Sequence, residues 1–278
     1  SDGYKRVQIR RVCKITTVMN VLFIGDIVGK PGRTALKALL PGLVDKYKVD
    51  LVVVNGENAA GGFGITENVA SEIFSLGVHV ITSGNHIWDK KEAIPYLAKE
   101  DRILRPANYP PSVPGQGSLV YKTRDGIKIA VLNLSGRIFM SHMDCPFRTS
   151  DREIQRLKDI TNIIIVDFHA EATSEKQAFG YYLDGRVSAV IGTHTHVQTA
   201  DEKILSGGTA YITDVGMTGP EDSVIGVEKE TVINRFLTGM PAKFEVPKGT
   251  SIFSAVVIEI DKDTGKASAI HRIQLTHP

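Results

Sequence analysis

Cysteine is scarce in this chain of 278 residues: Cys13 and Cys145 are the two present, far apart in the sequence. Two distant thiols exclude a disulfide framework and point to a reducing compartment. No apolar run approaches the roughly 20 residues needed to span a bilayer. The basic amino end (Lys5, Arg6, Arg10, Arg11, Lys14) lacks the apolar stretch of a signal peptide. A cytoplasmic protein without a membrane partner is therefore expected. Charge of one sign is lacking too. The net value is +2, from 33 basic and 31 acidic side chains, so total charge implies no polyanion-binding surface, while a local basic patch stays open. There is no internal repeat, low-complexity tract or linker.

What is present is a rhythm. Val21–Ile24 is a short apolar run ending in Gly25-Asp26 and a Gly/Pro-rich turn. Arg33 to about Lys48 has helical periodicity, with Leu36, Leu39, Leu40 and Leu43 on one side. Leu51–Val54 closes on Asn55-Gly56-Glu57-Asn58, a helix is expected over Glu67–Leu76, and His79–Thr82 ends at Ser83-Gly84-Asn85-His86. Strand, loop and helix thus recur in the order of a parallel sheet with crossover helices. Ser118–Lys122 and Lys128–Leu134 read as a hairpin about Asp125-Gly126. The rhythm resumes with Ile163–Val166 before Asp167-Phe168-His169, and with Ala189–Ile191 before Gly192-Thr193-His194-Thr195-His196. Ser251–Ile260 and Lys266–Gln274 read as paired strands. A single domain over residues 19–278 is expected, with a small loop or cap segment at about 135–150. Residues 1–18 are expected to be an upstream extension that need not be native, since the first strand follows directly on Met19.

Five separate apolar runs each end in metal-capable side chains: Asp26; Glu57 with Asn58; Asn85 with His86; His169; and His194 with His196. Singly, each has a bland explanation as a turn residue, helix cap or hydrogen-bonded core histidine. Jointly they point to one crevice, because the carboxyl ends of parallel strands form the ligand-binding face of such sheets. His194 and His196 are expected in an extended segment, which would send both imidazoles to the same side. Imidazoles with carboxylate and amide oxygens suit borderline metals such as iron, manganese or zinc, and the absence of thiolates argues against a closed structural zinc site. Six or seven such ligands are too many for one ion and fit two. Asp167 and Glu171 are candidates to orient imidazoles, Trp88 and Phe168 to stack a base, Thr213-Asp214 to line the site, and Phe139–Pro146 with His142 to cover it. Lys30 and Arg33 read as a solvated helix start, with phosphate neutralisation the competing role; the segment is not a P-loop, because it lacks the terminal Gly-Lys-Ser/Thr.

In this order the motifs resemble calcineurin-like metallophosphoesterases, and within them the YmdB-like bacterial cyclic-nucleotide phosphodiesterases. Phe23-Ile24-Gly25-Asp26, Gly84-Asn85-His86-Ile87-Trp88-Asp89 and Asp167-Phe168-His169-Ala170-Glu171 carry the likeness to the subgroup. Val28 stands where the wider superfamily has a histidine, and Glu57 where it has a bridging aspartate. The resemblance implies an α/β four-layer α-β-β-α sandwich of two mixed sheets. It implies two metal ions per chain, iron or manganese foremost, with Asp26, Asn58 and His196 on the first, Asn85, His169 and His194 on the second, and Glu57 shared. It also implies attack on phosphorus by a hydroxide between the metals, with His86 as general acid. The implied substrate is a small nucleotide phosphodiester, 2′,3′-cyclic or 3′,5′-cyclic, with short RNA still open and a homo-oligomer compatible. Two alternatives stand beside it: a nucleotide-sensing regulator with little turnover, and a phosphatase or RNA-processing phosphoesterase using the same site. A metal-dependent amidohydrolase is disfavoured, because its His-x-His pair belongs on the first strand and here the pair comes late.

Overall fold

A computed structural model describes residues 18–278, so the extension expected over 1–18 lies outside the described residues except for Val18. From there run β1 (Val18–Ile24), β2 (Asp26–Ile27), α1 (Gly29–Tyr47), β3 (Leu51–Asn55), α2 (Glu67–Ser75), β4 (Val80–Thr82) and the short α3 (Ile94–Leu97). The hairpin β5 (Ser118–Lys122) and β6 (Lys128–Ser135) leads to α4 (Pro146–Lys158), β7 (Ile164–His169), α5 (Thr173–Leu183) and β8 (Ala189–Thr193). The remainder is β9 (Lys203–Ile204), β10 (Ala210–Ile212), β11 (Met217–Pro220), α6 (Lys229–Thr238), β12 (Ser251–Asp261) and β13 (Ala267–His277).

These strands form two mixed sheets. One has the order β2-β11-β12-β1-β3-β4, with β13 paired to β12; the other is β5-β6-β7-β8-β10-β9. β1, β3 and β4 are parallel to one another, as are β6, β7, β8 and β10. β12 joins β1 antiparallel, and Val18 and Met19 pair with Asp261 and Ile260, so β1 begins one residue before Met19.

Strand alternation distributes the core. Val21 and Phe23 of β1 cluster with Ile129, Ile165 and Ile191 of the second sheet, whereas Leu22 and Ile24 cluster with Leu36 and Leu40 of α1. Leu132, Val166 and Phe168 pack with Phe179 and Leu183 of α5 in a third cluster. Strands apolar on both faces are what buried parallel sheets require.

Three boundaries depart from expectation for local reasons. α1 starts at Gly29 rather than Arg33, because Pro31 lies in the first turn, where a missing N–H costs nothing. α4 takes up residues 146–150 of the expected cap, with Pro146 again in the first turn. β4 starts at Val80 rather than His79. His79 Nδ1 accepts the Val52 N–H at 2.9 Å, standing in for a strand carbonyl.

The parallel strands β1, β3 and β4 of one sheet and β7 and β8 of the other end beside one another. Each candidate residue follows one of those ends or occupies it.

Candidate metal centre

β1 delivers Asp26, fully buried. After β3 the chain leaves the extended conformation, and a turn over 57–60 lets the adjacent Glu57 and Asn58 face one another, with Asn58 Nδ2 3.4 Å from Glu57 Oε1. Arg33 braces that turn by donating to the Ala59 carbonyl while pairing with Glu72, so its guanidinium is committed away from phosphate. β7 ends on His169, whose Nε2 lies 3.0 Å from Glu57 Oε1 and 3.1 Å from Asn85 Oδ1. Gly84 makes this approach feasible, since a Cβ there would overlap the His169 ring.

The His-Thr-His segment departs from the extended conformation that its spacing predicts. β8 stops at Thr193, and His194 and His196 are not extended: their φ angles are 101° and 67°. Left-handed backbone at non-glycine residues costs roughly 1–3 kcal/mol each and persists where surroundings hold it. Here Asp214 accepts from Thr195 N and Oγ1 at 3.0 and 2.8 Å, and Lys176 donates to the Thr193 carbonyl at 2.7 Å and to Asp214 at 2.6 Å. The result separates the two imidazoles. His194 Nδ1 lies 3.0 Å from His169 Nε2, while His196 Nε2 lies 3.1 Å from Asn58 Nδ2 and 3.8 Å from Asp26 Oδ1.

Each imidazole has its outer nitrogen committed to an oxygen. His169 Nδ1 donates to Thr193 Oγ1 (2.9 Å), which donates to Asp167 Oδ1 (2.7 Å). His194 Nε2 faces Glu171 Oε2 at 3.0 Å, and His196 Nδ1 donates to the Ile225 carbonyl at 2.8 Å. Each inner nitrogen therefore turns a lone pair toward the carboxylates. Acceptors thus converge on acceptors: Glu57, His169 and His194 each bring a ligand atom within 4.8 Å of the others. The buried oxygens Asp26 Oδ1 and Asn58 Oδ1 have no hydrogen-bond partner. Carboxylate, amide and imidazole atoms drawn this close, with two buried oxygens left without a donor, fit cations.

The charges agree. Burial pushes the Asp26 carboxyl up, against the pull of His196 and His169. Burial also opposes ionised Glu57, but His169 and His86 outweigh it and hold Glu57 at about 2. Burial opposes a charged His169 as well, yet Glu57, Asp26 and Asp167 lift it to about 9. Burial and the His169 charge depress His194 to about 3. The buried carboxylates therefore demand positive charge, which one imidazolium meets when no other cation does.

His86 stands apart from this cluster. Its backbone N–H donates to Glu57 Oε2 at 3.1 Å, its Nδ1 is 2.8 Å from Asp89 Oδ2, and the Phe63 ring meets its own edge-on at 5.1 Å. Nε2 is the nitrogen left for a ligand. A cleft of about 260 Å³ opens here, walled by Val28, Phe63, Ile225, Phe244 and Val246 beside Glu57, Asn58 and the histidines.

This chain belongs to the YmdB-like protein family. The family model matches residues 22–273. A Bacillus subtilis protein named 2′,3′-cyclic-nucleotide 2′-phosphodiesterase is 51% identical over 255 residues, covering 92% of this chain and 96% of the relative. A putative phosphatase/phosphodiesterase of Mycoplasma pneumoniae is 39% identical, over 91% and 92%. Among solved structures, a hypothetical protein from Thermus thermophilus superposes with a TM-score of 0.87 at 44% identity, over 94% of this chain and 100% of that one. A novel phosphatase from Mycoplasma pneumoniae gives 0.88 at 39%, over 93% and 94%.

Other sequence candidates resolve differently. Asp167 is fully buried behind His169, and burial raises it to about 7. Phe168 stacks on Phe179 in the core and offers no face to a base, while Trp88 packs at a right angle to Tyr109. Phe139, Met140 and Ser141 border a second opening beside Asn85 and His194; His142 does not line it. Sequence reasoning missed Lys176, Asp89, Phe63 and the 225–227 and 244–246 walls. Lys176 left a legible trace: it falls on the buried stripe 176, 179, 180, 183 of α5, where a lysine needs a partner. No helix among the described residues is long and apolar enough to cross a membrane.

Proposed function

We propose that the chain is a metal-dependent phosphodiesterase that opens the ring of 2′,3′-cyclic nucleotides at the 2′ oxygen, with a dinuclear centre. The observation that carries this reading is the convergence of carboxylate, amide and imidazole ligand atoms next to a histidine that is not one of them. Asp26, Asn58 and His196 would hold one cation, Asn85, His169 and His194 the other, and Glu57 would serve both; iron or manganese fits this oxygen and imidazole set. When bound, such a pair supplies an acidified water and offsets charge on phosphoryl oxygens. The three shared core clusters support the two sheets stacking face to face with helices outside, a four-layer sandwich whose strand ends pool these ligands.

The chain's own residues do the rest. Thr193, Glu171 and the Ile225 carbonyl fix which nitrogen each imidazole presents. Asp89 orients His86 so that Nε2 holds a proton for the departing 2′ oxygen. The apolar walls exclude water and receive the nucleobase. Named relatives in the same family support the substrate class, since one carries 2′,3′-cyclic-nucleotide 2′-phosphodiesterase as its name.

The test is an assay of metal-loaded protein on 2′,3′-cyclic nucleotides, 3′,5′-cyclic nucleotides, a generic phosphodiester and a phosphomonoester. The expected result is metal-dependent conversion of the 2′,3′-cyclic compounds to nucleoside 3′-phosphates. Hydrolysis of the phosphomonoester alone would overturn the reading.

A further inference from the structure

We infer that the substrate of this site extends beyond a mononucleotide: a second, cation-lined cavity receives the upstream phosphate of a short RNA ending in a 2′,3′-cyclic phosphate. The inference rests on the proposed ring-opening activity and names the form of its substrate. A cavity of about 680 Å³ lies across the segment 244–246 from the catalytic cleft, and Phe244, Glu245 and Val246 line both. Lys30, Lys243, Lys248 and His277 face the second cavity. Lys243 is taken up by Glu245 at 3.0 Å, but Lys30 and Lys248 have no ion-pair or hydrogen-bond partner among the described residues.

The ridge between the cavities is anchored. The Glu245 carbonyl accepts from Glu228 N at 3.0 Å, and Val246 sits so close over Gly29 and Gly62 that a Cβ at Gly62 would collide with it. Gly62 and Phe63 line the cleft while Gly61 lines the second cavity, so one glycine-rich turn floors both openings, directly after Asn58.

A mononucleotide has one phosphate and one base, which the metal centre and the apolar cleft already accommodate. Two unpaired ammonium groups around a further cavity suit a second phosphodiester. Ribose chemistry fixes where that anion must be. A 2′,3′-cyclic phosphate forms on ribose, and in a chain it can stand only at the 3′ end, so any extension leaves through the 5′ oxygen. The chemistry is unchanged: water oxygen bonds to phosphorus, the bond from phosphorus to the 2′ oxygen breaks, and that oxygen takes a proton, leaving a 3′-phosphate and a free 2′-hydroxyl.

The experiment compares metal-loaded wild type with the Lys30→Ala/Lys248→Ala variant, on a 2′,3′-cyclic mononucleotide and on a trinucleotide with the same terminus. Binding of a labelled trinucleotide is followed by anisotropy. We expect kcat/KM to favour the trinucleotide about tenfold at low salt, with a salt slope steeper by about 0.7 for the one added phosphate contact. The variant should lose that preference and leave the mononucleotide unchanged. Equal kcat/KM on both substrates, or equal losses on both, would overturn the inference while sparing the ring-opening activity. If neither substrate is hydrolysed the activity reading falls, and trinucleotide binding that the variant does not weaken then removes the groove as well.

Discussion

At the scale of single residues, the site works by assigning each polar atom one job. His86 donates its backbone to Glu57 and engages Asp89 through Nδ1, which leaves Nε2 free. His86→Ala is therefore expected to keep its metal and lose about 10²–10⁴-fold in turnover, the range for a general acid. Metal content measured beside kcat checks this, and unchanged kcat would remove His86 from the role. Asp89→Asn should lower kcat less, with KM nearly constant, because it orients the imidazole without touching substrate. Gly84→Ala makes the opposite prediction. Its Cβ would displace His169, so metal should be lost together with activity. Much at this scale was legible in the sequence, since metal-capable residues at successive strand ends have few other reasons to recur. Partners such as Asp89 and Phe63 were not, because a hydrogen bond or an edge-on ring leaves no spacing of its own.

Among the elements, the segment 193–196 carries the most local strain, and the Lys176–Asp214 pair holds it. Both side chains are 1% exposed. Removing one member of such a pair costs about 3–5 kcal/mol by stranding the other charge. Lys176→Met should accordingly destabilise the protein in denaturant unfolding and weaken metal binding by roughly 10–100-fold, as expected for residues that orient ligands. Unaltered metal affinity in a destabilised variant would show the clamp to be purely structural. Asp214→Ala should be worse, since it also strands the Thr195 donors.

A second element-scale prediction concerns pH. Burial, followed by the Arg124 charge, holds the His79 imidazole below its ordinary 6.5. Folded His79 stays neutral while the unfolded chain takes up a proton, so stability is highest above about 6.5 and falls as pH drops toward the depressed value. His79→Gln should flatten that decline between about pH 7.5 and 5.5. Helices and strands themselves were largely readable from periodicity. The left-handed backbone at His194 and His196 was not, because a His-x-His spacing looks identical in a strand and in a strained loop.

On the scale of the whole molecule, two sheets from distant parts of the chain bring their strand ends together, and the proposed centre would tie them to each other. Asp26, Glu57 and Asn85 come from one sheet, and His169 and His194 from the other. A cation bound between them would stabilise only the folded form, by about 2.7 kcal/mol at a hundredfold excess over Kd. For a domain of this size that is a shift of about 5–10 °C in Tm, lost on chelation. The apolar alternation of the strands made both sheets legible, but their mutual placement depends on long-range packing that no local pattern encodes.

The most direct test of the account is anomalous diffraction from crystals of the protein loaded with iron or manganese. Two peaks are predicted, one among Asp26, Asn58 and His196 and one among Asn85, His169 and His194, with Glu57 reaching both. Density showing those side chains hydrogen-bonded to water alone at saturating metal would contradict it.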